Sequence, residues 1–415
     1  MMRILYIATQ YPLPVNNGVK MRVWTFLRAL AAAGHEITLA TFAEPEDAAA
    51  TEHELRKICK DCDLVLRHTE SLSGSKDYMA RLAGVLSSSP FTLGRCRSSE
   101  MQAILERRLR NDAFDVVLCD NVFTTVNLPA TSLPLVLNSH NVEHLVLERY
   151  AREVSNPVNA LYARMEAGKL RRFEAAVCKR AALVMVCSRL DGELLEELCP
   201  GVRTVVAPNV VDISDYSMTA DEDPLTLVYQ GGMDWLPNRD ALEYFVRAIF
   251  PLVQKEIPQV RLVAAGRNPA PEFRQRFSDV TAVAFTGTLP DLRPVVGKAT
   301  VCIVPLRIGS GTRFKILESA AMGKPVVSTT IGAEGLDFVP GEEILIADDP
   351  AAFAGNVVEL LRNPARRRAM GEAARNRVAQ DYDVKALERS VAGAFRDLQQ
   401  VIGVEAGQAP LASVG

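Results

Sequence analysis

The chain has 415 residues, of which 48% are hydrophobic and 23% are charged, and its formal net charge is −3. This length exceeds what one hydrophobic core usually serves, so we expect a globular protein with two domains. The charge balance excludes an overall field that would attract nucleic acid, and no apolar run approaches the roughly 18 residues that span a bilayer.

The first residues and the cysteines both favour a cytoplasmic protein. The apolar stretch 4–7 is too short for a signal peptide and is typical of a first core strand. The 8 cysteines are scattered, with Cys59 and Cys62 as the one close pair, and histidines are few. We therefore expect reduced thiols and no zinc site. The acidic stretches 61–63 and 221–223 look like loops, so no metal site is predicted.

Short buried strands alternate with amphipathic helices, which is the pattern of parallel α/β layers. In the first half we predict strands at 3–9, 36–42, 64–66, 116–119, 135–138 and 183–187, and helices near 20–33, 47–59, 99–110 and 159–180. A second strand series is predicted at 225–230, 261–265, 282–285, 301–304, 326–329 and 344–347, followed by helices near 364–380 and 384–401.

The two strand series predict two doubly wound α/β domains. The segment from Ala207 to Asp212 and the polar stretch 214–223 separate the series, so we place the domains at 1–206 and 207–383. The tail 405–415 is small and polar enough to be flexible.

The loop after the first strand ends at Gly18, just before a predicted helix. Ligands of parallel sheets bind at the carboxyl ends of the strands, where this loop lies. A diphosphate could approach the backbone N–H groups at Gly18; an ordinary strand-to-helix turn is the alternative. The loop lacks the G-x-G-x-x-G pattern, which argues against a dinucleotide-dependent oxidoreductase.

A histidine follows the predicted strand 135–138. His140 would lie at the carboxyl end of that strand, on the same edge of the sheet as Gly18. A neutral imidazole can donate to or accept from a ligand hydroxyl without a buried permanent charge. The alternative is a histidine with a structural role.

The stretch 301–329 predicts a strand, a glycine turn, a helix and a second strand. Gly311 lets the backbone turn sharply and approach a ligand. Thr312 is placed to cap the following helix, whose free N–H groups favour an anion. Arg313 and Lys315 add cations to the first turn, where they oppose the helix dipole. A bound phosphate would offset that opposition.

Glu318 lies on the same predicted helix, two turns from Gly311. Its carboxylate could accept hydrogen bonds from vicinal sugar hydroxyls. The alternative is a solvated, charged helix after a glycine turn. We favour a ligand site because strand, turn, cations and acid fall in one compact unit.

Over these residues the chain resembles retaining glycosyltransferases of the GT-B type, the large group called family 4. The likeness is carried by GSGTRFKILESAAMGKPVVST at 309–329, and is nearest to bacterial transferases of exopolysaccharide and related surface-glycan pathways. It extends from Met1 to about Val401. It implies two Rossmann-like domains facing across a deep cleft, with acceptors bound by the N-terminal domain and donors by the C-terminal one. In GT-B relatives the terminal helix crosses back onto the first domain, so we expect this of 384–401.

The resemblance also implies roles for individual residues. His140 and Glu318 match family positions at the transferred sugar and the donor, and are expected to be catalytic. Asn141 and Glu143 belong to the subgroup's His-Asn-x-Glu pattern and are acceptor-side candidates. Donor and phosphate binding are expected from Gly18, Gly231, Gly232, Gly266, Ser310, Gly311, Thr312, Arg313 and Lys315.

The chain departs from the family pattern at two places. Many relatives carry Gly-Arg where this chain has Gly231-Gly232, with a lysine a few residues on, and both cations hold the donor diphosphate. Many also carry a glutamate at the position of Ser310. We interpret Arg313 and Lys315 as relocated cations; weak or altered donor binding is the alternative.

The implied reaction transfers a sugar with retention from a nucleotide sugar, UDP- or GDP-linked, without a metal or a further cofactor. The acceptor would be a glycan, a lipid-linked glycan or a small molecule. Helix 159–180 could contact an anionic membrane through its basic residues, although a solvated face is the alternative; these residues are Arg164, Lys169, Arg171, Arg172, Lys179 and Arg180. Two other functions stay open: a nucleotide-sugar epimerase, and an inactive binding or scaffold partner.

Overall fold

A computed structural model describes residues 1–66, 87–218, 225–267 and 270–407. The chain forms two compact units by its internal contacts. The first comprises Met1–Val142, Met165–Pro208 and Leu387–Gly415, and the second comprises Glu143–Arg164 and Asn209–Ala386. None of the helices in the described ranges is long and apolar enough to cross a bilayer.

The first unit is built on a seven-stranded parallel sheet with the order β3-β2-β1-β4-β5-β6-β7. Its strands are β1 Arg3–Ala8, β2 Glu36–Ala43, β3 Asp61–Leu66, β4 Val116–Cys119, β5 Leu135–Asn138, β6 Leu183–Val186 and β7 Thr204–Val206. The helices up to this strand are α1 Gly18–Ala32, α2 Pro45–Leu55, α3 Phe91–Cys96, α4 Ser99–Asn111, α5 Glu143–Glu153, α6 Pro157–Arg180 and α7 Arg189–Leu198. Short 3₁₀ turns lie at Val122–Asn127 and Ile213–Asp215.

The second unit is built on a six-stranded parallel sheet with the order β10-β9-β8-β11-β12-β13. Its strands are β8 Thr226–Gln230, β9 Arg261–Ala265, β10 Val283–Phe285, β11 Val301–Val304, β12 Val326–Ser328 and β13 Leu345–Ile346. The remaining helices are α8 Leu236–Tyr244, α9 Phe250–Glu256, α10 Pro271–Gln275, α11 Arg293–Gly297, α12 Phe314–Ala321, α13 Thr330–Ala333, α14 Pro350–Arg362, α15 Pro364–Asp381 and α16 Val384–Gly407, with a π-helical turn at Phe245–Ile249.

The central strands are apolar because both of their faces are covered. Ile4, Leu5 and Ile7 of β1 are fully buried, and all five residues of β8 are buried. In each sheet the strand order reverses beside the first strand, between β1 and β4 and between β8 and β11. Doubly wound sheets bind ligands outside the carboxyl ends of their strands at that reversal. The topology therefore predicts one ligand-binding edge in each unit.

The predicted fold class, two doubly wound α/β domains, is confirmed. Most predicted strands lie within one or two residues of the observed ones, but β7 was not predicted, and neither were several helices, among them α3, α5 and α7. The prediction of a loop at 61–63 is wrong, because Asp61 begins β3 and Asp63 pairs with Arg108 at 2.6 Å. The acidic stretch 221–223 lies outside the described residues. Helix α16 continues to Gly407, into the predicted tail, and the rest of that tail also lies outside them.

Helix α12, which follows the glycine turn, is held by a close backbone contact with α15. A Cβ on Gly371 of α15 would lie 1.9 Å from the carbonyl oxygen of Gly323, just beyond the end of α12. Gly323 itself has a φ of 67°, the left-handed conformation common after a helix end. The two glycines therefore fix where α12 ends against α15.

Candidate functional site

The loop between β11 and α12 is shaped by two glycines. Gly309 has a φ of 144° and Gly311 a φ of 72°, values that residues with a Cβ rarely adopt. Arg313 is the N-cap residue of α12 and makes no side-chain capping hydrogen bond. The prediction that Thr312 caps this helix is wrong, because its hydroxyl accepts a hydrogen bond of 2.9 Å from Asn209. The turn extends one residue further than expected, so Thr312 remains in the loop.

The guanidinium group of Arg313 contacts the backbone of its own loop. Its Nη1 donates to the carbonyl oxygen of Gly311 at 2.7 Å and to that of Ser310. Its Nη2 donates to the carbonyl oxygen of Ile331 at 3.4 Å. The side chain is buried. This arginine therefore stabilises the conformation of the loop in which it lies.

Lys315 lies in the first turn of α12 and reaches back toward β8. Its Nζ donates to Asn238 Oδ1 at 2.8 Å and to the Tyr229 hydroxyl at 3.3 Å, and it lies 4.5 Å from the centroid of the Tyr229 ring. Burial, followed by the charge of Arg313, lowers the pKa of Lys315 to about 7. The amine at the carboxyl end of β8 is thus desolvated, and a bound anion would stabilise its charged form.

Glu318 lies one turn further along α12. Its Oε2 accepts from Gln230 Nε2 at 3.2 Å, and its Oε1 lies 3.4 Å from the Tyr216 hydroxyl. Gln230 also donates to the carbonyl oxygen of Lys315 at 2.8 Å, which fixes the helix against the end of β8. Burial raises the pKa of Glu318 to about 7. Lys315 and Glu318 therefore both change charge near neutral pH.

The ends of β8 and β9 approach each other backbone to backbone. Gly231 and Gly266 have φ values of 156° and 149°. A Cβ on Gly266 would lie 2.1 Å from the carbonyl oxygen of Gly231, and one on Gly231 would lie 2.7 Å from Asn238 Nδ2. Asn238 Nδ2 donates to the carbonyl oxygen of Gly232 at 2.9 Å. These glycines leave room for a ligand to reach the backbone at this edge of the sheet.

A cation that the sequence analysis did not select lies beside Gly232. A Cβ on Gly232 would be 3.1 Å from Arg267 Nη2, so the guanidinium group borders the space that a side chain at 232 would enter. Arg267 pairs with Asp234 at 3.0 Å, and both side chains are largely exposed. This surface pair is weak and open to exchange.

In the first unit, His140 follows β5 and contacts a buried carboxylate. Its Nε2 lies 3.1 Å from Asp120 Oδ1, which also accepts from the Tyr6 hydroxyl at 2.7 Å and from Asn138 Nδ2 at 3.1 Å. Asp120 Oδ2 is buried without a hydrogen-bond partner in the part of the chain that the structure describes. An ionised carboxylate only accepts, so we assign the proton of a neutral His140 to Nε2. Its Nδ1 is then the accepting nitrogen.

The other first-unit candidates are backbone or helix-start positions. Gly18 is the first residue of α1, and the side chain of Asn17 caps that helix by accepting from Lys20 N at 2.9 Å. Asn141 lies in the turn after β5, where its carbonyl oxygen accepts from the Ser139 hydroxyl at 2.9 Å. Glu143 is the first residue of α5, and by its contacts it belongs to the second unit.

Part of the proposed membrane-facing cluster on α6 is buried. Lys169 and Leu170 are 6% and 2% exposed, and Lys169 pairs with Glu166 at 2.7 Å. The prediction that Lys169 adds to a basic surface is therefore wrong, because burial beside a carboxylate is more favourable for this side chain. Five basic residues of α6 remain exposed: Arg164, Arg171, Arg172, Lys179 and Arg180.

The structure thus brings most of the second-unit candidates to one edge of one sheet. Around the β8–β11 reversal lie Gly231, Gly232, Gly266, Lys315, Glu318 and the loop 309–313. Sequence reasoning missed four side chains of this edge, namely Tyr216, Gln230, Asn238 and Arg267. It also missed Asp120 in the first unit, although its place directly after β4 was a usable signal.

Two family models match the chain. The model described as Glycosyltransferase Family 4 matches residues 16–215, and the model described as Glycosyl transferases group 1 matches residues 224–363. Together they cover most of the chain, including the first sheet except β1 and the whole of the second sheet.

Curated relatives and solved structures agree with these matches. The chain is 23% identical over 407 residues to an uncharacterized 44.6 kDa protein in the cps region of Klebsiella pneumoniae, covering 94% of this chain and 99% of that protein. It is 22% identical to glycogen synthase of Mycobacterium tuberculosis, covering 95% of this chain and 94% of that protein.

Among solved structures the chain is similar to sucrose-phosphate synthase from Thermosynechococcus elongatus, with a TM-score of 0.72 and 19% identity, covering 97% of this chain and 100% of that one. It is also similar to Anabaena HepE in complex with UDP and glucose, with a TM-score of 0.64, 14% identity and coverage of 95% and 100%. The structural likenesses show a shared GT-B fold.

The glycine contacts predict a sharp difference between two neighbouring alanine substitutions. Gly266→Ala should lower the free energy of unfolding by about 3 kcal/mol, because its Cβ meets backbone and its φ is left-handed. Gly232→Ala should cost less than about 1 kcal/mol, because its Cβ meets only the movable ends of Asp234 and Arg267. Urea denaturation of both variants measures the difference. Equal losses would mean that the backbone contact is not a constraint.

Proposed function

Because the chain belongs to the glycosyltransferase family 4 and glycosyl transferases group 1 families, we propose that it moves a sugar with retention from a nucleotide-diphosphate donor to a glycan, lipid-linked or small-molecule acceptor, without a metal. The observation that carries the proposal is the arrangement of Lys315, Glu318 and the loop 309–313 at one strand reversal. Anabaena HepE, which is similar in structure, binds UDP together with glucose in one solved complex and UDP-glucose in another. A UDP- or GDP-sugar is therefore our first choice of donor.

The donor diphosphate would bind to cations that come from two different loops. Lys315 offers its ammonium group at Asn238, and Arg267 offers its guanidinium group beside Gly232. Gly232 is the position at which many relatives carry the arginine of Gly-Arg. The relocation expected of Lys315 thus has support in the geometry, whereas Arg313 would act by shaping the loop. The two cations would supply charge neutralisation that a metal would otherwise provide.

Glu318 would bind the ribose of the donor nucleotide. Its carboxyl group is half-buried, and both of its oxygens lie within reach of neutral donors, Gln230 and Tyr216. Vicinal hydroxyls would add two more hydrogen bonds and would stabilise the ionised form. A carboxylate engaged in this way is poorly placed to act as a nucleophile. We therefore propose no covalent glycosyl-enzyme intermediate.

The proposed reaction is front-face attack by an acceptor hydroxyl on the anomeric carbon. The bond between that carbon and the diphosphate oxygen breaks, the new glycosidic bond forms on the same face, and the leaving phosphate takes the hydroxyl proton. Lys315 and the loop would stabilise the charge that develops on the diphosphate. His140, with Nδ1 as the accepting nitrogen, would hold a hydroxyl of the transferred sugar. Asn141 and Glu143 are our candidates for contacts with the acceptor.

We place the reaction in the cytoplasm and propose a peripheral contact with an anionic membrane. The exposed arginines and lysine of α6 would attract lipid head groups, and Val158 and Leu161 beside them are 73% and 68% exposed. Such a contact would bring a lipid-linked acceptor to the protein.

Nucleotide binding tests the donor site directly. In calorimetry with UDP, GDP, ADP and dTDP, we expect one nucleotide to bind the wild type. Lys315→Met, Arg267→Met and Glu318→Ala should each weaken that binding by about tenfold or more, the loss of one charge-assisted contact. Lys255→Met, an exposed lysine on α9, is the control and should leave the affinity unchanged. If the wild type binds none of the four, the donor-site assignment is wrong, and a binding or scaffold role becomes the better hypothesis.

The pKa of Lys315 predicts a pH dependence of nucleotide affinity. The free protein loses the Lys315 proton above about pH 7, whereas the diphosphate binds the ammonium form. Affinity should therefore fall from pH 7 to pH 9, by up to about tenfold per pH unit, until the pH exceeds the pKa of the complex. Binding should take up a proton in this range, seen as a calorimetric enthalpy that depends on the buffer.

The control for this pH dependence is Lys315→Met, which should bind more weakly and lose the proton uptake. Glu318 ionises in the same range with the opposite effect, so the comparison is repeated in a Glu318→Gln background. Proton uptake that persists in Lys315→Met would exclude this lysine as its source.

A further inference from the structure

The guanidinium group of Arg149 on α5 holds the loop that precedes α12. It forms a two-point ion pair with Glu334, from Nη1 to Oε2 at 2.5 Å and from Nη2 to Oε1 at 2.6 Å. The same Nη1 donates to the carbonyl oxygen of Gly309. The side chains of Arg149 and Glu334 are only 18% and 15% exposed, so this contact is well shielded from water.

A second tie joins α5 to the same loop. Glu153, one helical turn after Arg149, pairs with Arg307 at 2.9 Å. Arg307 also pairs with Asp240 of α8 at 2.6 Å and lies over the Tyr244 ring at 4.4 Å. The loop is therefore held at two residues by one face of α5, since positions four apart lie on the same side of a helix.

The contact with Gly309 has a geometric consequence for the next residue. In a trans peptide the carbonyl group and the following N–H point in opposite directions. Fixing the Gly309 carbonyl oxygen on Arg149 therefore fixes the direction of the Ser310 N–H. Arg313 does the same for the next two peptides, because its Nη1 donates hydrogen bonds to the carbonyl oxygens of Ser310 and Gly311. Two arginines thus set three consecutive peptide planes.

We propose that Arg149 is a positioning residue that orients the loop 309–311 toward the β-phosphate of the donor nucleotide. The inference rests on the proposed function of the second unit. It assigns to α5 the task of keeping the loop in its binding conformation. Glu318, the proposed ribose ligand, has its hydrogen bonds with Tyr216 and Gln230, whereas Arg149 bonds to Gly309 and Glu334, so we expect Arg149 to affect the β-phosphate more than the ribose.

The test compares a nucleoside diphosphate with its monophosphate. In calorimetry with UDP and UMP, or the pair whose diphosphate the wild type prefers, Arg149→Met should weaken diphosphate binding by about tenfold or more and monophosphate binding by less than about threefold. Arg149→Lys, which keeps the charge but has a single donor group, should recover part of the loss. Glu318→Ala should instead weaken both nucleotides to a similar degree.

Two controls separate positioning from folding. Arg152→Met changes an exposed arginine of the same helix and should leave both affinities unchanged. Thermal unfolding of each variant shows whether the fold is retained, and Glu334→Gln supplies a second variant that loosens Arg149 without removing it. This variant should show a smaller loss, of the same diphosphate-selective kind.

The outcomes distinguish the two proposals. If the wild type binds a nucleoside diphosphate and Arg149→Met leaves both affinities unchanged, Arg149 does not position the loop for the β-phosphate, and the donor site stands. An equal loss for both nucleotides would likewise overturn the inference and indicate a structural role. If the wild type binds no nucleoside diphosphate, the proposed function fails, and this inference fails with it.

Discussion

The second unit is arranged around one desolvated amine. Lys315 contacts an amide oxygen, a phenol hydroxyl and an aromatic ring, all of them neutral, and Arg313 lies close enough to lower its pKa. An ammonium group held in this way is costly unless an anion arrives. The neighbouring carboxyl group of Glu318 is destabilised in its ionised form, since burial raises its pKa to about 7. A nucleotide carries both negative charge and hydroxyl groups. It would therefore stabilise the charged forms of both Lys315 and Glu318.

This arrangement also depends on the glycines that follow β8 and β9, because they have no side chain. The strands β8 and β9 are each followed directly by a glycine, and a Cβ on Gly266 would meet the backbone of Gly231. The close approach lets Asn238 reach the carbonyl oxygen of Gly232 while its other amide atom accepts from Lys315. One asparagine thus links the strand end to the cation, and the glycines determine how deep a ligand can reach.

The sequence was sufficient for the fold because strand burial and glycine turns are local signals. Val301–Val304 and the glycines after it predicted a strand and a sharp turn, and both are present. That Thr312 does not cap α12 could not be predicted, because its hydroxyl accepts a hydrogen bond from Asn209, 103 residues away in the chain. Arg267 escaped notice for a similar reason. Only the pairing of β8 with β9 places it beside Gly232, and no motif reports such a contact.

The cations of this edge divide into two kinds, which explains how a chain of net charge −3 can offer an anion site. Arg149 is neutralised by Glu334, and its spare hydrogen bond goes to a carbonyl group. Arg313 instead donates to carbonyl oxygens of the same loop. Lys315 donates to the uncharged groups of Asn238 and Tyr229, whereas Arg267 pairs with the exposed carboxylate of Asp234. Local potential is set by which cations meet carbonyls and which meet carboxylates, and not by the total charge of the protein.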